Sequence, residues 1–406
     1  MKCPVTITPK HLIYDRSRTT TDWDCPRKRY WQYEHNGSGI TPEVDAVELF
    51  TGTVNHTGLS SIAHQHLKGA VDIDAITKTA YDAIFGYHCP EELEDVDSVV
   101  LYAHEQASLT EGMLRGFFKH CWPKLMEKYE IIAIEEEMFF IHDQHGVGTL
   151  EGNFVMMVKP DLVLRDKTTK ELVYFEYKTT SSKREGWVIA WDDAVQVHST
   201  IAAIGQSLGE KPTSSVIQGL YKGYESYGKQ SSPFCYAYYK QGQPPFIKPE
   251  YSYEYRNGLR RVPTWELEGG TKKWVENMPE AVLANQFPQT PPIFPNDDLI
   301  TDYFMQRAMR ELEIQMAKQM LSAENAELNR KVVLNGAFPQ RFDRCKPPYG
   351  NAKPCQNRIL CHGCVKDPLK AGFTKREPHH ELEIDENSKA PQQHSPDVNK
   401  AGQKES

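Results

Sequence analysis

The segments that decide the fold are Lys159 to Arg165 (KPDLVLR) and Glu171 to Lys178 (ELVYFEYK), separated by a short polar stretch. Two apolar runs around a polar turn predict a β-hairpin. Alternate residues of a strand share a face, so Glu176 and Lys178 project together and Tyr177 points away. Asp161 precedes Glu176 by fifteen positions, and the hairpin brings it beside them. The sequence therefore predicts two carboxylates and an ammonium at one end of the hairpin.

This combination is typical of phosphodiester cleavage. Two carboxylates and a backbone carbonyl are hard oxygen ligands for Mg2+ or Mn2+, and a nearby ammonium can orient water and stabilise charge on phosphate. The alternative is a solvated strand face, where acidic and basic residues commonly alternate. The apolar run from Leu172 to Phe175 favours the functional interpretation, because charges at its end would be costly to bury without partners.

Apolar periodicity divides the chain into a helical first part and a mixed second part. Helical spacing runs from Pro42 to about Tyr129, and β-rich sequence begins at Ile131. The other predicted elements are strands 131–142 and 147–158 around a His145-Gly146 turn, a helix 187–208 ended by Gly209, strands 215–222 and 233–240, a loop-rich span 241–295, and one long helix 297–334 capped near Asn296. The fold class is α/β.

The motif and the order of elements resemble the PD-(D/E)XK nuclease superfamily, and within it the RecB-like exonucleases, including CRISPR-associated and phage-encoded members. The resemblance implies a restriction-endonuclease-like αβββαβ core with a helical N-terminal insertion and a C-terminal cysteine-cluster module. Its histidine motif matches Gly52 to His56 (GTVNH), and its glutamine motif matches Gln196. The family usually has Tyr four residues after this glutamine, where this chain has Thr200.

The resemblance also assigns roles at the site. His56, Asp161, Glu176 and the backbone carbonyl of Tyr177 would hold Mg2+ or Mn2+. Lys178 would position the attacking water, and Gln196 would order the site or the DNA. The first strand carries Glu135, Glu136 and Glu137, of which Glu136 is the one most suited to face the metals, although three consecutive Glu also mark a strand edge in water.

The chain has nine cysteines, and four of them fall within twenty residues: Cys345, Cys355, Cys361 and Cys364. Such clustering favours a metal site over disulfides in an intracellular protein, and a zinc site with all four as ligands is one interpretation. The resemblance implies instead a [4Fe-4S] cluster held by Cys25, Cys345, Cys355 and Cys361, with Cys364 as an alternative ligand or a free thiol. Cys3, Cys89, Cys121 and Cys235 have no predicted role.

The net charge of -8 argues against a protein that coats nucleic acid by charge alone, but not against a local basic groove. Basic residues group at Arg27-Lys28-Arg29, Lys183-Arg184, Arg260-Arg261 and Arg341 to Lys346, and Tyr30, Trp31, Trp187 and Trp191 are candidates for base stacking. No apolar run reaches the roughly 18 residues of a membrane span, and the N-terminus lacks a signal-peptide core. We expect a cytoplasmic protein that binds DNA, single-stranded or with free ends, and no membrane.

The sequence predicts six regions: 1–40 with the first cluster cysteine, 41–130 helical, 131–295 the nuclease core, 296–335 a long helix, 336–370 the cysteine cluster, and 371–406 a disordered tail. The predicted function is a metal-dependent DNA exonuclease, a hydrolase of phosphodiester bonds in DNA replication, recombination or repair. The alternative is a non-catalytic DNA-binding or assembly protein with a structural zinc or iron-sulfur site.

Overall fold

The computed structural model describes residues 12–42, 47–90, 97–142, 154–180, 184–191, 194–222, 236–240, 246–247, 259–263, 280–322, 326–345, 355–363 and 367–377. It has a mixed α/β fold. The chain divides into two compact units. The first unit comprises 1–16 and 44–312, and the second comprises 17–43 and 313–406.

A four-stranded sheet forms the centre of the first unit. Its strands are β3 (Tyr129–Ile134), β6 (Leu162–Asp166), β7 (Leu172–Thr180) and β8 (Ser214–Tyr221), in that spatial order. β6 is antiparallel to both β3 and β7, and β7 is parallel to β8. The β6–β7 hairpin predicted from the sequence is confirmed, and its register pairs Leu162 with Phe175. Asp161 therefore lies just before β6, level with Glu176.

Two further three-stranded sheets belong to the first unit. One has the order β1 (Leu12–Asp15), β5 (Phe154–Val158) and β4 (Met138–His142), with β1 parallel and β4 antiparallel to β5. The other has the order β10 (Phe246–Ile247), β9 (Tyr236–Lys240) and β11 (Leu259–Pro263).

Among the described residues between 47 and 128, four helices precede the central sheet, as the apolar periodicity predicts. They are α3 (Val47–Leu67), α4 (Ile73–His88), α5 (Asp97–His120) and α6 (Trp122–Lys128). Their buried faces join one side of the sheet in a core that includes Leu59, Met113, Phe117, Leu164 and Phe175. Helix α3 packs so closely on β7 that a Cβ at Gly52 would lie 3.5 Å from Thr179 Oγ1. This packing brings the middle of α3 to the end of the hairpin.

The other side of the central sheet is covered by α8 (Val195–Leu208) and by α10 (Asp297–Ser322) up to Leu312. Val197, Ile201 and Ile204 of α8 are fully buried against this side. The predicted stop at Gly209 is confirmed, because this residue adopts the left-handed conformation that ends helices, with φ +71°. The predicted cap of α10 is also confirmed, since Asn296 Oδ1 accepts a hydrogen bond from the Leu299 N–H at 3.0 Å.

The second unit contains elements from both ends of the chain. They are α1 (Arg16–Asp24), whose first residue lies in the first unit, α2 (Pro26–Arg29), β2 (Ile40–Pro42), the last turns of α10, α11 (Ala326–Ala337), α12 (Phe342–Cys345), α13 (Arg358–Cys361) and β12 (Phe373–Lys375). β2 and β12 pair antiparallel. Arg27 closes the C-terminal end of α11, where its guanidinium donates to the carbonyls of Leu334 and Phe338 and to Asn335 Oδ1, each at 2.8 Å.

Three predicted elements differ from the structure. The predicted strand 131–142 is two strands of different sheets, broken at residues 135–137, where Glu135 has φ +46°. The predicted helix 187–208 begins earlier and is divided into α7 (Arg184–Ile189) and α8. The predicted loop-rich span 241–295 contains a helix, α9 (Glu280–Gln286). The predicted helix 297–334 corresponds to α10 and α11, and residues 323–325 between them lie outside the described residues. Residues 143–153, which include the predicted His145-Gly146 turn, and residues 378–406 of the predicted tail lie outside the described residues.

Among the helices that the structure describes, none has the length and apolar character needed to cross a lipid bilayer.

Candidate active site

The first part of the site joins helix α3 to the start of β6. His56 Nδ1 lies 3.1 Å from Asp161 Oδ1. The other carboxylate oxygen of Asp161 accepts the backbone N–H of Tyr177 at 2.6 Å. The Asp161 side chain is 11% exposed and that of His56 is 27% exposed, so the pair lies at an accessible edge. The two residues are 105 positions apart, and the packing of α3 on β7 brings them together.

The second part of the site is the Glu176 carboxylate on β7. Its Oε1 accepts hydrogen bonds from Lys178 Nζ, from Gln196 Nε2 at 3.0 Å, and from Arg16 at 3.4 Å. Gln196 lies in the first turn of α8, which directs its amide toward the strand. The sequence-predicted residues His56, Asp161, Glu176, Lys178 and Gln196 therefore come together at one end of the hairpin.

The backbone of Tyr177 faces Asp161. The N–H and C=O of one strand residue point to the same edge of the strand. Because the Tyr177 N–H donates to Asp161, its carbonyl points to the same edge. The predicted carbonyl ligand thus has the orientation that the prediction requires. The Tyr177 side chain points away into the helical core, where its ring meets Phe117 edge-on.

Two residues of the site were missed by sequence reasoning. The hydroxyl of Tyr174 donates to Glu176 Oε2, and Arg16 contacts Oε1 of the same carboxylate. Tyr174 precedes Glu176 by two positions, so the alternation of the strand was a usable signal for it. Arg16 is 160 positions away from Glu176, and no local pattern points to it.

Charge compensation sets the protonation of these groups. Burial opposes the charge of Glu176, but Lys178 and Arg16 outweigh it and hold the pKa of this carboxyl below its usual value. Burial likewise opposes the charge of His56, but Asp161 outweighs it and raises the His56 pKa. Burial, and then the charge of Glu176, raise the pKa of the Tyr174 phenol, so this group stays protonated and donates. Two carboxylates face Lys178, Arg16 and a histidine, so acidic and basic side chains balance at the site.

The structure shows no catalytic role for the other residues that the sequence suggested for this site. Glu135, Glu136 and Glu137 occupy the break between β3 and β4 and are half-buried, and Glu135 pairs with Lys159 at 3.3 Å. The proposed metal-facing role of Glu136 stays a prediction. Thr200, four residues after Gln196, is buried in α8, and its hydroxyl donates to the Gln196 carbonyl at 2.8 Å.

The donor set suits Mg2+ or Mn2+ by its chemistry: two carboxylates, one imidazole and one backbone carbonyl. Within the described part of the chain, however, no group of three or more His, Cys, Asp or Glu side chains is arranged to hold a metal ion. In this structure, protein groups contact both oxygens of Glu176 and both oxygens of Asp161.

The four cysteines predicted as cluster ligands belong to the second unit, although Cys25 is far from the other three in sequence. All four are free thiols, and Cys25 and Cys345 are buried. The Cys355 N–H donates to the Cys345 carbonyl at 3.1 Å, which ties two of them together. Burial raises the pKa of Cys355 and brings that of Cys361 to about 11, and neighbouring thiols, Cys25 among them, contribute to both shifts. The four groups are therefore close enough to interact electrostatically.

The other cysteines fall into two groups, those that the structure describes and those that lie outside the described residues. Cys89 is buried and Cys121 half-buried, both in the first unit, and burial raises the Cys121 pKa to about 12. Cys3, Cys235 and Cys364 lie outside the described residues.

Several residues predicted to contact DNA have structural partners instead. Arg27 is 7% exposed and closes helix α11, and Arg29 is 1% exposed and pairs with Glu34 at 2.9 Å. Tyr30 is buried among Trp31, His35 and Phe338, and Trp187 is buried against Trp191. Of the Arg27–Arg29 run, only Lys28 is partly exposed.

No protein-family model matches this chain, and the search of curated proteins gives no match.

Proposed function

We propose that this protein is a metal-dependent DNA exonuclease of the RecB-like class, which hydrolyses phosphodiester bonds at the Asp161–Glu176–Lys178 site. One observation carries the proposal. Residues from four separate segments, at positions 56, 161, 176–178 and 196, converge at one end of the β6–β7 hairpin and are joined by hydrogen bonds. A solvated strand face would not explain the burial of Glu176, which is 3% exposed.

The topology around the hairpin also supports the proposal. Three antiparallel strands, β3, β6 and β7, are followed by helix α8 and the parallel strand β8. With α3 packed beside the sheet, this order resembles the αβββαβ core of the restriction-endonuclease-like fold.

In the proposed mechanism, His56, Asp161, Glu176 and the Tyr177 carbonyl would hold Mg2+ or Mn2+, and the ion would supply Lewis-acid stabilisation of charge on the phosphate and a more acidic water. Lys178 directs its ammonium to the attacking water and the phosphate oxygens. Gln196 and Tyr174 donate to Glu176 and fix the direction of its carboxylate. Arg16 adds a second permanent positive charge on the same side, suited to a phosphate oxygen.

The second unit is proposed to carry a [4Fe-4S] cluster on Cys25, Cys345, Cys355 and Cys361. The convergence of these thiols from both ends of the chain supports this assignment. A zinc ion on the same cysteines, or with Cys364, is the alternative. Anaerobically purified protein should be brown, with a broad visible absorbance that Cys25→Ser removes and Cys89→Ser retains. A colourless protein with stoichiometric zinc would support the alternative.

The catalytic assignment is tested with Asp161→Ala and Lys178→Ala in a DNA degradation assay with Mg2+ or Mn2+. Each variant should lose about a hundredfold or more in rate, because Asp161 is a proposed metal ligand and Lys178 is the proposed partner of the attacking water and the phosphate. Glu171→Gln is the matched control, since Glu171 is exposed at the opposite end of the same hairpin. Full activity in both alanine variants would instead favour a DNA-binding or assembly protein whose site is structural.

A further inference from the structure

The second unit contains a cavity of about 580 Å³ that is separate from the cysteines. It lies between the segment 30–37 and helices α10 and α11. Lys318 of α10 and Arg330 of α11 line it from two different helices. This volume falls within the range of about 300–1,000 Å³ that is usual for small-molecule sites.

Lys318 is held in place by a buried ion network. Its Nζ lies 3.0 Å from Glu34 Oε2, and the Nε of Arg29 donates to Glu34 Oε1 at 2.9 Å. The side chains of Arg29 and Glu34 are 1% and 2% exposed, whereas that of Lys318 is 33% exposed. Burial opposes the charge of Glu34, but Arg29 and Lys318 outweigh it and lower the Glu34 pKa to about 2. The lysine therefore keeps a fixed position while its ammonium still faces the cavity.

Arg330 is an exposed residue that donates to a second hydrogen-bond relay, whose members Tyr30 and His35 are buried. Its guanidinium donates to the Tyr30 hydroxyl at 3.1 Å, which leaves that hydroxyl free to donate to His35 Nδ1 at 3.2 Å. Burial and the charge of Arg330 lower the His35 pKa, which favours the neutral ring that this acceptor role needs.

The two relays hold two cations at one cavity. Buried ion pairs add little to stability compared with apolar packing, so their effect here is positional. The carboxylate of Glu34 is shared between Arg29 and Lys318, and Arg330 adds a further positive charge to the cavity lining. The carboxamide of Asn36 and the side chain of Gln319 add hydrogen-bonding groups, and Leu321 adds an apolar wall.

We propose that this cavity binds a nucleoside phosphate, with the phosphate between Lys318 and Arg330. A doubly charged phosphate monoester matches the paired cations, and the cavity is much larger than a bare phosphate needs. The nucleoside can be a free nucleotide or the phosphorylated end of a strand, because both present the same chemistry. The proposal does not rest on the proposed nuclease activity.

Binding is measured by calorimetry on the full chain carrying Asp161→Ala, with EDTA, so that hydrolysis plays no part. The probes are dTMP, a 5′-phosphorylated dT10, its 5′-hydroxyl counterpart, and inorganic phosphate. Saturable binding of dTMP would support a free nucleotide, and binding of the phosphorylated dT10 alone would support a strand end. Arg330→Gln should weaken either interaction by at least about tenfold, because it removes a charge-assisted hydrogen bond.

Lys331→Gln is the matched control, since Lys331 is the exposed neighbour of Arg330 and does not line the cavity. Lys318→Gln should also weaken binding, but it removes a positive charge beside the Glu34 carboxylate and should lower the Tm. Arg330→Gln is therefore the variant that tests the proposal. The proposal is overturned if dTMP and phosphorylated dT10 both fail to bind, or if Arg330→Gln binds like the parent. Equal affinity for inorganic phosphate and dTMP would also overturn it, because the nucleoside would then contribute nothing.

Discussion

Arg27→Ala should destabilise helix α11 strongly. The Arg27 guanidinium donates three hydrogen bonds of 2.8 Å to the end of this helix, and the residue is 7% exposed. Hydrogen bonds to a charged group contribute about 1.5–3 kcal/mol each, and bonds from one side chain are not additive. Truncation also leaves the carbonyls of Leu334 and Phe338 without this donor. We expect a loss of about 3 kcal/mol, or about a hundredfold in the opening equilibrium of the helix.

Amide hydrogen exchange of Ala326–Ala337, followed by mass spectrometry, measures this local opening directly. Lys28→Ala is the matched control, because Lys28 is partly exposed and pairs with Asp24 only at 3.4 Å. Such a pair contributes about 0.3–0.5 kcal/mol, so exchange in the control should change less than threefold. If Arg27→Ala exchanges no faster than Lys28→Ala, or loses DNA binding with unchanged exchange, the structural role given to Arg27 is refuted.

Three further predictions follow from single contacts. The free energy of unfolding should fall as the pH drops from about 4.3, the usual Glu pKa, toward 2, because the folded Glu34 pKa is about 2. Glu34→Gln should therefore reduce the dependence of Tm on pH in that window, as measured by thermal melts. Gly39→Ala should prevent folding of the second unit, seen as lost α11 exchange protection, because the new Cβ would lie 2.0 Å from the Gln32 carbonyl oxygen. Tyr174→Phe should lower metal-dependent DNA degradation about tenfold, whereas Tyr177→Phe should not, since the Tyr177 hydroxyl has no hydrogen-bond partner among the described atoms.

The prediction from sequence was most complete at the β6–β7 hairpin, where it depended on the periodicity of neighbouring residues. Alternation within a strand is a property of neighbouring residues, so the shared face of Glu176 and Lys178 was predictable, and the turn fixed the position of Asp161. Gly209 and Asn296 were predictable for the same reason, because helix ends depend on local backbone chemistry.

Long-range packing limited the rest. Arg16 reaches Glu176 from 160 positions away, and nothing in its neighbourhood distinguishes it from a surface arginine. The basic run at Arg27–Arg29 is typical of a solvated or DNA-facing group, yet Arg29 is buried and pairs with Glu34, five positions later. The strand break at Glu135 depends on a left-handed residue that favours Gly, Asn or Asp, so a glutamate there gives no warning.

The most direct test of the central claim is digestion of end-labelled linear DNA and circular single-stranded DNA with Mg2+ or Mn2+. We expect the wild-type protein to release nucleotides from the linear substrate in a metal-dependent reaction and to leave the circular substrate intact. We expect no release by Asp161→Ala. If the wild-type protein releases nothing from either substrate with either metal, the convergence of His56, Asp161, Glu176 and Lys178 is not a nuclease site.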